Sequence, residues 1–120
     1  MTIAVQPAAR AGPILRVAIA AGKRNDAVKI RQVLDVSLPR PNESLRDWQA
    51  VVIGGGVING LSMDHGWPGP RITEVIGKDA ALAERWAAAL EASVTMTDNK
   101  EVRPGTRYDA LRMITLRGWK

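Results

Sequence analysis

The chain has no cysteine and no phenylalanine, one histidine and one tyrosine. Without cysteine there is no disulfide framework, no thiolate zinc site and no C-x-x-C-H haem attachment. His65 is the sole imidazole. With Asp64 beside it, it still falls short of the three or four protein ligands a metal usually takes, so it reads as a turn-surface residue. Four Trp and one Tyr make up the aromatics of 120 residues. That scarcity argues against a β-sandwich, which draws on aromatic and β-branched alternation. No segment reaches the length of a membrane span. The N-terminus is unlike a signal peptide, because Arg16 interrupts the apolar run 14–21 and no cationic lead precedes it. An export signal would lie elsewhere, as it would for a fragment, and the compartment is not fixed by the sequence.

What is abundant is alanine, within an ordinary hydrophobic content of 46%. The mix suits helix-on-helix packing in one domain. The net charge of +5 and pI near 10.2 favour solubility and a weak pull on polyanions. The densest basic group is Arg103, Arg107, Arg112, Arg117 and Lys120. It shows no aromatic-and-basic interleaving and no nucleic-acid motif, so it reads as a solvated helix face.

The charge-free stretch 48–62 carries the main decision, because it contains Val51-Val52-Ile53-Gly54-Gly55-Gly56 and then Asn59-Gly60. Read as a strand and a phosphate turn, it would bind a dinucleotide through Gly54, Gly56 and Gly60. The fingerprint G-x-G-x-x-G wants its third glycine at position 59, where Asn59 stands, and Gly60 is one residue late. One residue turns a helical position by about 100°. Asp79 is the nearest candidate for a ribose-binding acid, but the segment before it is too short and proline-broken for a crossover helix and a strand. Read as a helix, Trp48, Val51, Val52, Gly55, Ile58, Asn59 and Ser62 recur at helical spacing, opened by a capping-box-like Ser44–Asp47. Each glycine then costs nearly ~1 kcal/mol against alanine, which a close neighbouring helix on the Gly55–Asn59 face would offset. The helical reading is preferred.

The rest of the chain follows the same logic. Residues 1–11 are a loose lead-in, and 12–120 form a single domain. Gly12-Pro13 opens a first helix with Ile14, Leu15, Ala18, Ile19 and Ala21 inward and Gly22 as its C-cap. Asn25 or Asp26 caps a second, with Val28, Ile30, Val33, Leu34 and Val36 as its stripe, stopped by Pro39 and Pro41. The glycine-rich helix spans roughly 44–63. Pro70 starts a fourth helix that Gly77 ends. Asp79 caps a fifth, with Leu82, Trp86, Ala89, Leu90, Ser93 and Val94 on one stripe and Glu84, Arg85 and Glu91 off it. Thr106–Asp109 opens a sixth, with Tyr108, Leu111, Met113 and Ile114 inward. Six helices with short links predict an all-α fold of three antiparallel pairs, a fragment of an α-solenoid, although no clean internal repeat at a fixed period is present.

Arg46-Asp47-Trp48-Gln49, then Gly55-Gly56-Val57-Ile58-Asn59-Gly60-Leu61-Ser62, Trp67-Pro68, Arg71-Ile72, Arg85-Trp86, Ala89-Leu90 and the run from Gly105 to Ile114 resemble a HEAT-like helical segment. Such segments occur in large bacterial multidomain proteins of the planctomycete membrane-bound dehydrogenase type, which join a propeller, HEAT-like repeats and a c-type haem domain. The resemblance implies a periplasmic setting and partner domains in the same chain. It carries no redox activity onto this chain, which has no haem-attachment motif.

No catalytic residue, cofactor or metal ligand is assigned. Ser62 and Ser93 lack a nucleophile elbow to pair with His65, and Asp98, Glu101 and Asp109 are explained by capping and solvation. Trp48, Gly55, Asn59, Trp86, Leu90, Tyr108 and Leu111 are expected as packing residues. Trp67 and Trp119 are expected as further anchors. A buried Asn59 should bond to backbone across a helix pair. The expected role is that of a non-catalytic scaffold or interaction module whose partners are protein domains. The alternative is a small α/β nucleotide-binding domain centred on residues 54–60.

Overall fold

Short-range signals set the helix ends in the computed structural model, which describes residues 11–64 and 66–117. Helix α1 (Ala11–Arg24) runs past Gly22 and stops at Asn25, whose left-handed φ of 53° takes the place usually given to glycine. The Asp26 N–H reaches the Ala21 carbonyl at 3.0 Å and the Asn25 N–H reaches Gly22 at 3.0 Å, the paired bonds of a Schellman motif. Gly22 is therefore an interior residue and not the cap expected for it. Asp26 caps α2 (Ala27–Ser37) through the Lys29 N–H. Helix α2 ends at Leu38, before Pro39, whose ring disfavours helix in the residue ahead of it.

Helix α3 is continuous through Asp47–Ala50, Val51–Ile58 and Asn59–Asp64. It opens with the Arg46 N–H donating to Gln49 Oε1 at 2.7 Å. Its middle, Val51–Ile58, has wide π-type turns, and the Asn59 N–H bonds the Gly54 carbonyl five residues back. Such turns mostly occur singly; here they span the whole apolar, glycine-rich stretch. Helix α4 (Gly69–Ile76) has Pro70 in its first turn and ends at Gly77, φ 60°. Asp79 caps α5 (Ala80–Asp98) by accepting from the Leu82 N–H at 3.0 Å. Helix α6 (Pro104–Ile114) starts on a proline. Every regular element among the described residues is helical, so the all-α expectation holds, and none is long and apolar enough to cross a membrane.

The contacts centre on α3. It packs against α1 on one side and α6 on another, while α5 packs on α6, α2 on α1, and α4 chiefly on α2. Sequential pairing would have set α4 against α3. The extents, 33 × 31 × 27 Å, are nearly equal. The core joins Ala18, Ile30, Leu34, Val52, Ile53, Val57, Leu61, Ile72, Leu90 and Met113.

Two predicted stripes are rotated. In α2, Val28 and Val36 are 65% and 62% exposed, and Ser37 joins Ile30, Val33 and Leu34 inside. In α6, Met113 is buried as expected, but Tyr108 and Leu111 are 58% and 42% exposed, and Thr106 and Ala110 take the other inward places. Residue size misled here: α6 meets glycines on α3, and only small or flexible side chains fit between the two backbones.

Candidate functional site

The glycine-rich helix touches its neighbours backbone to backbone. A Cβ on Gly54 would stand 2.1 Å from the Asp109 carbonyl oxygen of α6. One on Gly60 would stand 2.6 Å from the Ile19 carbonyl of α1, and one on Gly22 2.8 Å from the Val57 carbonyl of α3. In each case the glycine Hα that replaces the Cβ points at a carbonyl oxygen, the geometry of a Cα–H···O contact. Gly56 meets the Ala18 methyl, at 2.6 Å from where its own Cβ would be. Ala18 and Gly22 on α1, and Gly56 and Gly60 on α3, are each four residues apart, so each pair lies on one helical face. That spacing was readable in the sequence and is the signal the Gly55–Asn59 assignment missed.

These contacts leave no strand and phosphate turn in this stretch. Val51–Ile53 are helical, and Gly54, Gly56 and Gly60 are closed off by α6 and α1. The backbone that would approach a pyrophosphate already has protein against it.

Gly55 faces Asp109, whose Oδ1 would lie 3.0 Å from a Cβ there. Asp109 also pairs with Arg112 at 2.7 Å, and Arg112 stacks 4.5 Å over the Tyr108 ring. Burial raises the Asp109 carboxyl above its usual range, with Arg112 pulling the other way. Segment 48–63 contributes no charge to this contact. Among the described residues, no group of three His, Asp or Glu side chains could hold a metal ion.

Three arginines tie distant parts of the chain together away from the glycine contacts. Arg85 is only 8% exposed. It donates to the carbonyls of Pro39, Asp35 and Leu38 at 2.7–3.1 Å and to Asp35 Oδ1 at 2.8 Å. The guanidinium thus caps the C-terminal end of α2 from α5. Arg31 binds Asp79 and the Ile76 carbonyl, and Arg71 binds Asn25 through its side chain and its carbonyl. Asp79 is lowered below its usual range, first by the Leu82 N–H and then by Arg31. Arg85 was expected off the apolar stripe. It stands three residues from Leu82 and four from Ala89, so its position on the buried face was legible, and its charge concealed it. A cavity of about 240 Å³ beside it is lined by Pro39, Glu43 and Glu84, but the guanidinium is already directed at the α2 carbonyls.

Among the expected packing residues, Leu90 is buried, Trp48 and Trp86 pack half-buried on the core, and Gly55 sits under Asp109. Asn59 is half-buried. Among the described residues its side chain makes no cross-helix bond, because partial exposure relieves the need for one; its carbonyl accepts from the Ser62 hydroxyl. Trp67 is 43% exposed, with its indole nitrogen 2.8 Å from where a Cβ on Gly69 would stand. His65 and Trp119 lie outside the described residues.

An apolar groove of about 280 Å³ lies between α1 and α2, with Pro13, Ile14, Val17, Val33 and Val36 along it and Lys29 as its charged lining residue. Val17 is half exposed there. Comparison of the chain with protein families, with curated proteins and with solved structures finds no match.

Proposed function

We propose that this chain is a non-catalytic helical interaction module whose outer helices meet a partner protein domain. The observation that carries the reading is where apolar side chains remain in water. Val17, Val28 and Val36 on α1 and α2 and Tyr108 on α6 are at least half exposed, and Leu111 on α6 is 42% exposed, although the interior is filled by other residues of the same helices. A helix pair of a HEAT-like array shows such faces where it would stack on its neighbour, and a setting within a larger multidomain protein belongs to the same proposal. The central helix supports the reading indirectly. Its glycines serve contact between helices, which leaves the one motif with a chemical alternative fully used by packing.

The test is site-specific photo-crosslinking in the cells that make the protein. A photoreactive residue at Val17, Val28 or Val36 is expected to give a discrete protein adduct, and one at Lys100 or Glu101, which are exposed elsewhere, is not. Adducts absent from all three valine positions, or equal at the control positions, would remove the proposal.

A further inference from the structure

We propose that the α1–α2 groove takes an acidic amphipathic helix, an inference that rests on the interaction-module reading and names its partner's chemistry. The groove floor is apolar, built from Pro13, Ile14 and Val17 on α1 and Val33 and Val36 on α2. Val17 and Val36 stand 50% and 62% in water, so each has apolar area to lose to a partner. A groove between two helices accepts a third helix through side chains at i, i+3, i+4 and i+7.

The sign of the charge at this groove gives the partner its acidity. No described carboxylate lines it, and its one charged lining residue is Lys29. Arg24 follows Val17 by seven residues, two turns further along the same face of α1, and is exposed. Arg16, next to Val17, is exposed as well. The acids that cap α2 and lie on it already have partners: Asp26 accepts the Lys29 backbone N–H, and Asp35 pairs with Arg85 at 2.8 Å. A second copy would bring the same cations to the same groove, so a symmetric self-contact sets like charges together. A partner helix with an apolar stripe and glutamates toward the Arg24–Lys29 end meets both requirements.

The probe is a labelled synthetic amphipathic helix of about four turns with leucines on one face and glutamates on its flanks, beside a twin with lysines in place of glutamates. Fluorescence anisotropy on the full chain should show the acidic peptide binding at least about tenfold tighter than the basic one, with the difference shrinking as salt rises. Lys29→Glu combined with Arg24→Glu should reverse the preference, and Val17→Asp should weaken both peptides. Both substituted charges are exposed, so circular dichroism is expected to show each variant folded. Equal affinity for the two peptides, no binding of either, or a preference that Lys29→Glu leaves unmoved overturns the inference. Sedimentation showing a dimer that Val17→Asp dissolves also overturns it, with a second copy as the occupant. A crosslinked partner at Val17 together with equal peptide affinities would sink the acidic helix and leave the interaction module standing.

Discussion

The two sides of this molecule join helices by opposite means. Where α3 meets α1 and α6, side chains are removed: Gly54 and Gly60 let backbone lie on backbone, and Gly56 makes room for the Ala18 methyl. Where α2 meets α4 and α5, side chains are long: Arg31 and Arg85 reach across to carbonyls and carboxylates more than 40 residues away in sequence. The first kind of joint has no slack, because neither backbone can turn aside. The second is adjustable, since a guanidinium on a flexible stem finds its acceptors over a range of helix positions. A glycine contact is therefore broken by adding one carbon, and an arginine contact by removing a head group that caps a buried helix end.

Gly54→Ala should show the largest effect. Its Cβ would overlap the Asp109 carbonyl at 2.1 Å, and α6 must move away from α3. The loss should reach at least about 3 kcal/mol, the upper part of the overpacking range, read as a fall in the urea midpoint. Gly105→Ala is the control: nothing lies within 4 Å of its Cβ, and it should be neutral or stabilising by up to ~1 kcal/mol. If the two variants fall equally, close approach is not what the central glycines provide.

Arg85→Met should come next, at about 2–3 kcal/mol, because three α2-end carbonyls lose a charged donor while water from the adjoining cavity replaces part of the bonding. Hydrogen exchange should rise at the end of α2 and leave α3 protected. Uniform exchange across both sides would show that the arginine joint is not local.

The same contrast appears in acid. Asp79, on the arginine side, has a folded pKa below the ordinary 3.8. Its contribution is present above 3.8 and is lost as pH falls through the lower folded value. Asp109, on the glycine side, has a folded pKa raised above 3.8 by burial. Its protonated form is favoured by folding, so its contribution is full below 3.8 and is lost as pH rises through the folded value. Denaturation midpoints of Asp109→Asn and Asp79→Asn against pH should therefore diverge from the wild type in opposite directions. Parallel curves would refute the assignment of either cause.

The smallest effect is expected at Ser37, whose buried hydroxyl has no hydrogen-bond partner among the described residues. Ser37→Ala should be neutral or stabilising by up to about 1 kcal/mol, and a loss of more than that would show the hydroxyl to be bonded in solution.

Local signals in the sequence went a long way. Asp79 as a cap, a cap for α2 at Asn25 or Asp26, Pro39 as a stop after α2, Gly77 as the end of α4 and the helical state of the glycine-rich stretch follow from side-chain length, backbone freedom and apolar spacing over a few residues; the structure takes Asp26. The direction of the stripes in α2 and α6 did not follow. Val36 and Tyr108 are large and apolar enough to be read as core, yet Ser37 and Ala110 take the inward places.

The sequence by itself determined the helices and several of their ends, because capping, proline sterics and periodicity act within a turn or two of chain; the expected cap at Gly22 and the expected openings at Ser44 and Thr106 were not used, since α1 runs on to Arg24, α3 opens at Arg46 and α6 starts at Pro104. Tertiary structure decided which glycines face which neighbour, that Arg85 is an interior residue, and which valines are left in water. Those outcomes depend on residues 35 or more positions apart meeting in space. When a neighbouring backbone leaves no room for a side chain, the available volume overrides hydrophobicity in choosing what lies between two helices.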